Sequence, residues 1–250
     1  MNEAGLKRLK EMLEESRYTV ALCGSGMMEE VGLKGLKWES LAYEMEEKYG
    51  ETPEELFHIE CLARRPERFF NFYREEILKK ERPVSAAGKE MAAMERAGKL
   101  QCTVTVNLHN MGQRLGMKNV INLHGTIDGN YCMRCKKRYS MAYVRDYPGA
   151  VPICGECQGI VRPEVSLFGE MVDSQVMSRT AQEVERAEML LLVGTALSSE
   201  VYRPYIRYFG GDKIAIINRE PRPLDEKADL VIYGQPQNIL PYLGYGEGGK

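Results

Sequence analysis

Six short apolar runs punctuate this chain: Tyr18–Cys23, Cys102–Val106, Asn119–Leu123, Met189–Val193, Lys213–Ile217 and Leu230–Tyr233. Each is too short for a buried helix and is followed within two residues by Gly or Asn, so each reads as a strand. Runs with no polar alternation belong to strands covered on both faces, which is the condition of a parallel sheet flanked by helices. Helical patterns fall between them. Residues 4–16 set Leu6, Leu9, Met12 and Leu13 on one face of an amphipathic helix, and Gln182–Ala187 and Asn238–Leu243 read as shorter helices;. From Glu39 to Arg96 the pattern is helical, charged and aromatic, with Phe69, Phe70, Phe72 and Tyr73 as core candidates. The fold class this predicts is α/β, a Rossmann-like doubly wound parallel sheet. No internal repeat, low-complexity tract or long linker interrupts it.

The region between the third and fourth runs has a different character. Cys132-Met-Arg-Cys135 and Cys154-Gly-Glu-Cys157 are two C-x2-C turns with eighteen residues between them, the spacing of a zinc ribbon;. Each turn converges two thiolates, and two turns complete a tetrahedral all-sulfur site for Zn2+ with no position left for water or substrate. The zinc is therefore structural, and the chemistry lies elsewhere. The remaining cysteines, Cys23, Cys61 and Cys102, have no obvious partners, which suits a reducing compartment better than a disulfide framework;.

Charge narrows the partners. With 34 basic and 36 acidic side chains in 250 residues, the formal net charge of -2 argues against nucleic acid or an anionic membrane surface;. The N-terminus lacks the apolar core of a signal peptide, and the apolar run at Met189–Val193 is far too short to span a bilayer;. A soluble, cytoplasmic protein is expected, with no membrane and no nucleic acid among its partners.

Candidate chemistry gathers at the strand ends. Gly24-Ser25-Gly26 follows the first strand, Gly194-Thr195 the fourth and Asn218 the fifth, and small or polar groups at the carboxyl ends of parallel strands hold nucleotides;. A G-x-G after a strand is often only a tight turn, and the third glycine of the dinucleotide fingerprint is not at its usual spacing. There are three histidines. His58 lies in the helical region as a surface or packing residue, whereas His109 and His124 both follow strands. His124, just before Gly125, is well placed for a general base at a site rim and equally for a hydrogen-bonded loop histidine. Composition and spacing reach as far as a zinc-containing, nucleotide-binding α/β protein.

The order of the fragments adds a resemblance. Gly24-Ser-Gly-Met-Met28, Thr105-Val-Asn-Leu-His109, Leu123-His124-Gly125, the four cysteines, Arg162-Pro-Glu-Val-Ser-Leu-Phe-Gly-Glu170, Gly194-Thr-Ala-Leu197 and Ile217-Asn218 resemble, in sequence order, the motifs of the sirtuins, the NAD-dependent protein deacylases. The resemblance spans nearly the whole chain and is most specific from His124 to Glu170. It implies a Rossmann-like NAD-binding domain (1–28, 97–126 and 165–250) and a smaller domain built from a helical insert (29–96) and the zinc ribbon (127–164). NAD and an acylated-lysine protein or peptide would meet in the cleft between them, and the acyl group would leave on ADP-ribose with release of nicotinamide. By the same resemblance His124 is the general base and Asn107 orders the ribose and attacking water. Gly24, Ser25, Gly26, His109, Gly194, Thr195 and Asn218 would line the NAD site. Val165, Phe168 and Gly169 lie in the segment that pairs with the substrate backbone as an added strand.

The departures all fall on the NAD side. The family's G-I-P-D-F-R segment is replaced by Gly32-Leu-Lys-Gly-Leu-Lys-Trp38, which lacks Asp, Phe and Arg. The acid of T-Q-N-I-D is His109 and its glutamine is Val106; Ser25, Met28 and Ala196 also depart from the family's residues. Trp38 and Met28 are candidates for a different nicotinamide wall. Three readings stay open: a divergent deacylase, an ADP-ribosyltransferase or NAD hydrolase on the same fold, and a weakly catalytic module that binds NAD, ADP-ribose or acyl-peptide.

Overall fold

A segment such as Met189-Leu-Leu-Leu-Val193 has no polar face, so as a strand it must be covered from both sides;. The structure, a computed structural model, describes residues 3–29, 31–33, 35–36, 39–79 and 83–246 and meets that demand. In chain order the strands are β1 (Thr19–Cys23), β2 (Cys102–Thr105), β3 (Val120–Asn122), β4 (Gly125–Cys132), β5 (Arg138–Ser140), β6 (Val161–Val165), β7 (Met189–Val193), β8 (Lys213–Asn218) and β9 (Leu230–Tyr233). Six of them form one all-parallel sheet in the order β3-β2-β1-β7-β8-β9. Numbered among themselves these strands run 3-2-1-4-5-6, the Rossmann order, and the direction of winding reverses between β1 and β7.

Side chains alternate between two cores. Ala21, Cys23, Leu191, Val193 and Ile217 face a layer formed by the helices Glu3–Glu15 and Ala86–Arg96. Val20, Leu22, Leu190, Leu192 and Ile216 face the helix Ser174–Arg186 and the turn bearing Tyr202 and Tyr205. Each fully buried aliphatic side chain contributes about 1.5–3 kcal/mol of transfer free energy, so the sheet is the main reservoir of stability. The helix Ala86–Arg96 falls within the 29–96 segment that the resemblance groups with the smaller domain, yet its Ala87, Met91, Ala92 and Met94 pack on the sheet. An apolar stripe announces a buried helix face without saying which core receives it. Two expected helices also differ: the one at Gln182–Ala187 begins earlier, at Ser174, capped by Asp173, and Asn238–Leu243 is two 3-10 turns, Pro236–Asn238 and Leu240–Leu243.

The second body is a three-stranded antiparallel sheet, β5-β4-β6, packed against short helices between Glu39 and Phe72. Phe57, Phe69, Phe70, Phe72 and Tyr73 share one core with Ile127, Val144 and Val161 from the ribbon. Phe57 stacks on Phe69 at 5.7 Å and Phe69 meets Phe70 edge-on at 5.1 Å, the offset and T-shaped geometries that aromatic quadrupoles favour;. The helix Pro66–Phe72 continues into a π-helical turn, Tyr73–Leu78. Among the described residues no helix is long and apolar enough to cross a membrane.

Candidate functional site

The C-terminal ends of the parallel strands open onto a large cleft, about 1180 Å³ in volume, with the second body as its far wall. It sits at the reversal between β1 and β7, where open α/β sheets bind ligands. Gly24, Ser25 and Gly26 enter from β1, Asn107 and His109 from β2, His124 from β3, Gly194 and Thr195 from β7, and Asn218 from β8. Phe168 and Gly169 line it from the far side. Val165 does not: it is buried at the end of β6, paired with Gly125 and packed into the ribbon core.

Two glycines are required by the backbone itself. Gly194 has φ +62 and lies against the β1 turn, so that a Cβ there would sit 2.7 Å from the Met27 nitrogen. Gly24 N–H donates to Val193 O at 2.9 Å and Gly26 N–H to Gly194 O at 3.2 Å, which locks the two turns together. Gly125, at φ +74, turns the chain out of β3 into β4 and holds His124 at the cleft. Ser166 N–H then donates to the His124 carbonyl at 2.9 Å, tying this turn to the start of the far wall.

Asn107 is held at both ends of its carboxamide. Its Oδ1 accepts from His109 N–H at 2.8 Å, and its Nδ2 donates to the Met28 thioether. Its own N–H donates to Thr105 Oγ1 at 3.0 Å, which keeps the loop after β2 tight. The Tyr202 hydroxyl donates to the carbonyl of Cys23 at 2.6 Å and to that of Val104 at 3.2 Å, bridging the ends of β1 and β2 beneath the cleft. Burial raises that phenol well above its ordinary value, so it stays a donor.

The far wall is organised by Arg162 and Glu170. Arg162, 5% exposed, makes a bidentate pair with Glu170 at 2.7 and 2.8 Å and donates to the carbonyls of Val165 and Pro163. Glu170 also accepts from Leu167 N–H at 2.9 Å. Burial alone would raise the carboxyl, but the Arg162 and Leu167 hydrogen bonds prevail and hold it below the usual carboxylate range. Phe168 pairs with the insert like a strand residue: its N–H donates to Phe57 O at 3.1 Å and its carbonyl accepts from Ile59 N–H at 3.0 Å. His58 caps the helix Ile59–Arg64, accepting from Glu60 N–H at its Nδ1, and its ring occupies the space over Gly169.

Several cleft residues carry no motif. Tyr202, Ser199, Arg219 and Arg222 line the Rossmann side, and Glu39, Glu44, Phe57, Phe72, Glu76 and Ile77 the insert side. Arg219 follows Asn218 directly and Arg222 lies three residues further on, near enough to that strand end to be legible; the insert residues are distant in sequence and carry no such signal. Gly32, Leu33, Gly35 and Leu36 of the segment that departs from the sirtuin pattern also line the cleft, as does Met28, while Trp38 lies outside the described residues.

Away from the cleft, the four cysteines converge. Their Sγ atoms all lie within 4.8 Å of one another, with Cys132 to Cys157 at 3.4 Å and Cys135 to Cys154 at 3.6 Å. A tetrahedron with Zn–S bonds of about 2.3 Å has edges of about 3.8 Å, so the donor set fits Zn2+. The two turns are copies. Cys132 N–H donates to Lys137 O and Lys136 N–H to Cys132 O; Cys154 N–H donates to Gly159 O and Gln158 N–H to Cys154 O. Lys136 and Gln158, each just after the second cysteine of its turn, are both left-handed at φ 63 and 60. The Tyr139 hydroxyl donates to Cys154 Sγ at 3.0 Å and pulls that thiol down to about 6.

Fold and site together define a class: a Rossmann-type nucleotide site facing a lobe stapled by a four-cysteine zinc ribbon. The Sir2 family model matches residues 24–203, and the chain belongs to that family. It is 34% identical over 235 residues to an NAD-dependent protein deacetylase of Clostridium acetobutylicum, covering 94% of this chain and 96% of that one. It is 31% identical over 241 residues to NAD-dependent protein deacylase 1 of Archaeoglobus fulgidus, covering 95% and 96%. Among solved structures, one described as the structural basis of sirtuin substrate affinity superposes with a TM-score of 0.88 at 27% identity, over 97% of this chain and 99% of that one. Another, Sir2 with a deacetylated p53 peptide and 3′-O-acetyl ADP-ribose, gives a TM-score of 0.82 at 27% identity over 98% of both chains.

Proposed function

We propose that this protein is an NAD-dependent protein-lysine deacylase. The observation that carries the reading is the convergence of Asn107 and His124 on one cleft with the Gly24–Gly26 and Gly194–Thr195 turns and Asn218. The names of the relatives and the peptide and acetyl ADP-ribose bound to the similar Sir2 structure support it. In this reading NAD, when bound, supplies a nicotinamide leaving group and the ribose that receives the acyl group. The glycine turns offer backbone N–H groups to its phosphates, and Asn218 and Thr195 face its adenosine half. Asn107, with its carboxamide fixed, orients the nicotinamide ribose, and His124 takes the proton from a ribose hydroxyl. His109 stands near the carboxamide end of the nucleotide. Phe168 and Gly169 face the substrate chain, and Val165 contributes by anchoring β6 beneath them. The four-cysteine site, loaded with zinc, holds the ribbon rigid and takes no part in the chemistry.

We further assign the sheet and its helices, with the helix Ala86–Arg96 among them, to one lobe and the rest of the helical insert with the zinc ribbon (127–164) to the other, with the cleft between them. A cytoplasmic location follows from three buried free thiols, Cys23, Cys61 and Cys102, beside a thiolate zinc site, all of which suit a reducing compartment;.

The test is nicotinamide release from NAD by zinc-loaded protein, with and without acyl-lysine peptides, and with His124→Ala as control. Peptide-dependent release that His124→Ala abolishes is the expected outcome. His109 in place of an acid, at the cleft, favours a second reading, NAD hydrolysis or ADP-ribosyl transfer, whose signature is release without acyl peptide. No release from folded protein would leave a binding module.

A further inference from the structure

The side chain that meets the amide nitrogen of Asn107 is itself set by a helix stop. The short helix Gly26–Glu29 follows β1, and Gly32 beyond it is left-handed at φ +71. The Val31 and Leu33 N–H groups both donate to the Met28 carbonyl at 3.1 Å, and Leu33 shares a small buried apolar cluster with Met28 and Met111. A left-handed glycine, a bond from the next N–H back into the last turn, and an apolar contact between the same two residues make up the Schellman stop. Met28 is thus pinned at its carbonyl and along its side chain.

From there its thioether reaches Asn107. Asn107 Oδ1 is committed to the His109 N–H at 2.8 Å, an Asx-type bond that fixes which end of the carboxamide is nitrogen;. Nδ2 faces the Met28 sulfur and donates to it. A thioether is a weak acceptor on an unbranched, adaptable stem. An alkyl group in its place would offer Nδ2 nothing, and a half-buried N–H without an acceptor turns toward water. The carboxamide is planar, so that rotation carries Oδ1 off the His109 N–H and loosens the loop after β2.

We propose that Met28 is a positioning residue for Asn107, its sulfur holding the carboxamide in the orientation that faces the nicotinamide ribose. The catalytic consequence rests on the deacylase reading of Asn107; the contact itself does not. The stop that sets Met28 also opens the segment in which this chain departs from the sirtuin pattern. Gly32 and Leu33 both line the cleft, so a ligand that presses on them reaches Asn107 through this one side chain.

The experiment pairs two substitutions in zinc-loaded full-length protein. Met28→Leu keeps the volume and the apolar contact with Leu33 and removes the acceptor. Met28→Gln keeps an unbranched chain and restores an acceptor in its amide oxygen. For Met28→Leu the kcat of peptide-dependent nicotinamide release should fall about three- to tenfold, the measure of one lost hydrogen bond, with peptide KM and melting temperature unchanged. Met28→Gln should recover most of that kcat even where it melts lower, which a packing role would not allow. By hydrogen exchange, the His109 backbone N–H should lose about fivefold in protection in Met28→Leu and regain it in Met28→Gln. Unchanged kcat and His109 exchange in Met28→Leu overturn the proposal, while peptide-dependent release by the wild type keeps the deacylase reading. Losses in both variants that simply track melting temperature overturn it as well. No peptide-dependent release from the wild type overturns the deacylase reading, and the His109 exchange rates alone then decide whether Met28 holds Asn107.

Discussion

Replacing Glu170 with Ala tests whether one carboxylate organises the far wall of the cleft. In the folded protein that carboxylate receives both terminal nitrogens of Arg162 and the Leu167 N–H. The Arg162 side chain is 6% exposed and Glu170 24%, so the substitution strands a guanidinium where water reaches it poorly. Removing one partner of a buried pair costs about 3–5 kcal/mol, and the residual exposure of Glu170 points to the lower end, about 3 kcal/mol. For a chain of this size 1 kcal/mol corresponds to roughly 2–4 °C, so the melting temperature should fall by about 6–12 °C. Urea denaturation of wild type and Glu170→Ala at neutral pH measures the difference, and a loss below about 1 kcal/mol would refute the reasoning. The pH dependence gives an independent check. Glu170 has a folded pKa below its ordinary 4.5, so its contribution is fully present above that value and is lost as pH falls below it toward the folded pKa;. The gap between wild type and Glu170→Ala should therefore be constant above about pH 5 and close on acidification. A gap that widened in acid would reverse the assigned sign.

Three further outcomes are expected. Cys154→Ala should lose stoichiometric zinc and the ordered ribbon together, because metal binding supplies folding free energy there; zinc analysis and circular dichroism check it, and a metal-free variant with unchanged melting would contradict it. Tyr139→Phe removes the hydroxyl donated to Cys154 Sγ and should weaken zinc about 10–100-fold in a chelator competition while the protein remains folded at excess metal;. Gly194→Ala puts a Cβ against the Met27 nitrogen at a positive φ and should cost about 1–3 kcal/mol in urea unfolding and weaken NAD binding in calorimetry, with unaltered NAD affinity counting against the locked-turn account;.

The six sheet strands were legible along the chain because a doubly covered strand has to be apolar throughout, and Val20–Cys23 or Met189–Val193 admit no other reading;. The zinc ribbon was legible because four cysteines at two short spacings have few other uses, and the glycines of the strand ends because only glycine tolerates those turns. What the chain could not declare was adjacency. Phe57, Phe72 and Ile77 look like ordinary core aromatics and aliphatics, and only the packing of the insert against β4 and β6 brings them to the wall of the cleft. Helix Ala86–Arg96 has an apolar stripe that either core would accept, and the tertiary structure gave it to the sheet. Arg162 and Glu170 stand eight residues apart in one motif, but that they pair is decided only when β6 buries the first and the following loop returns the second to it. Local sequence dictates which residues need covering or turning; which surfaces meet is settled by the whole chain competing for the same buried space, and that competition has no local signature.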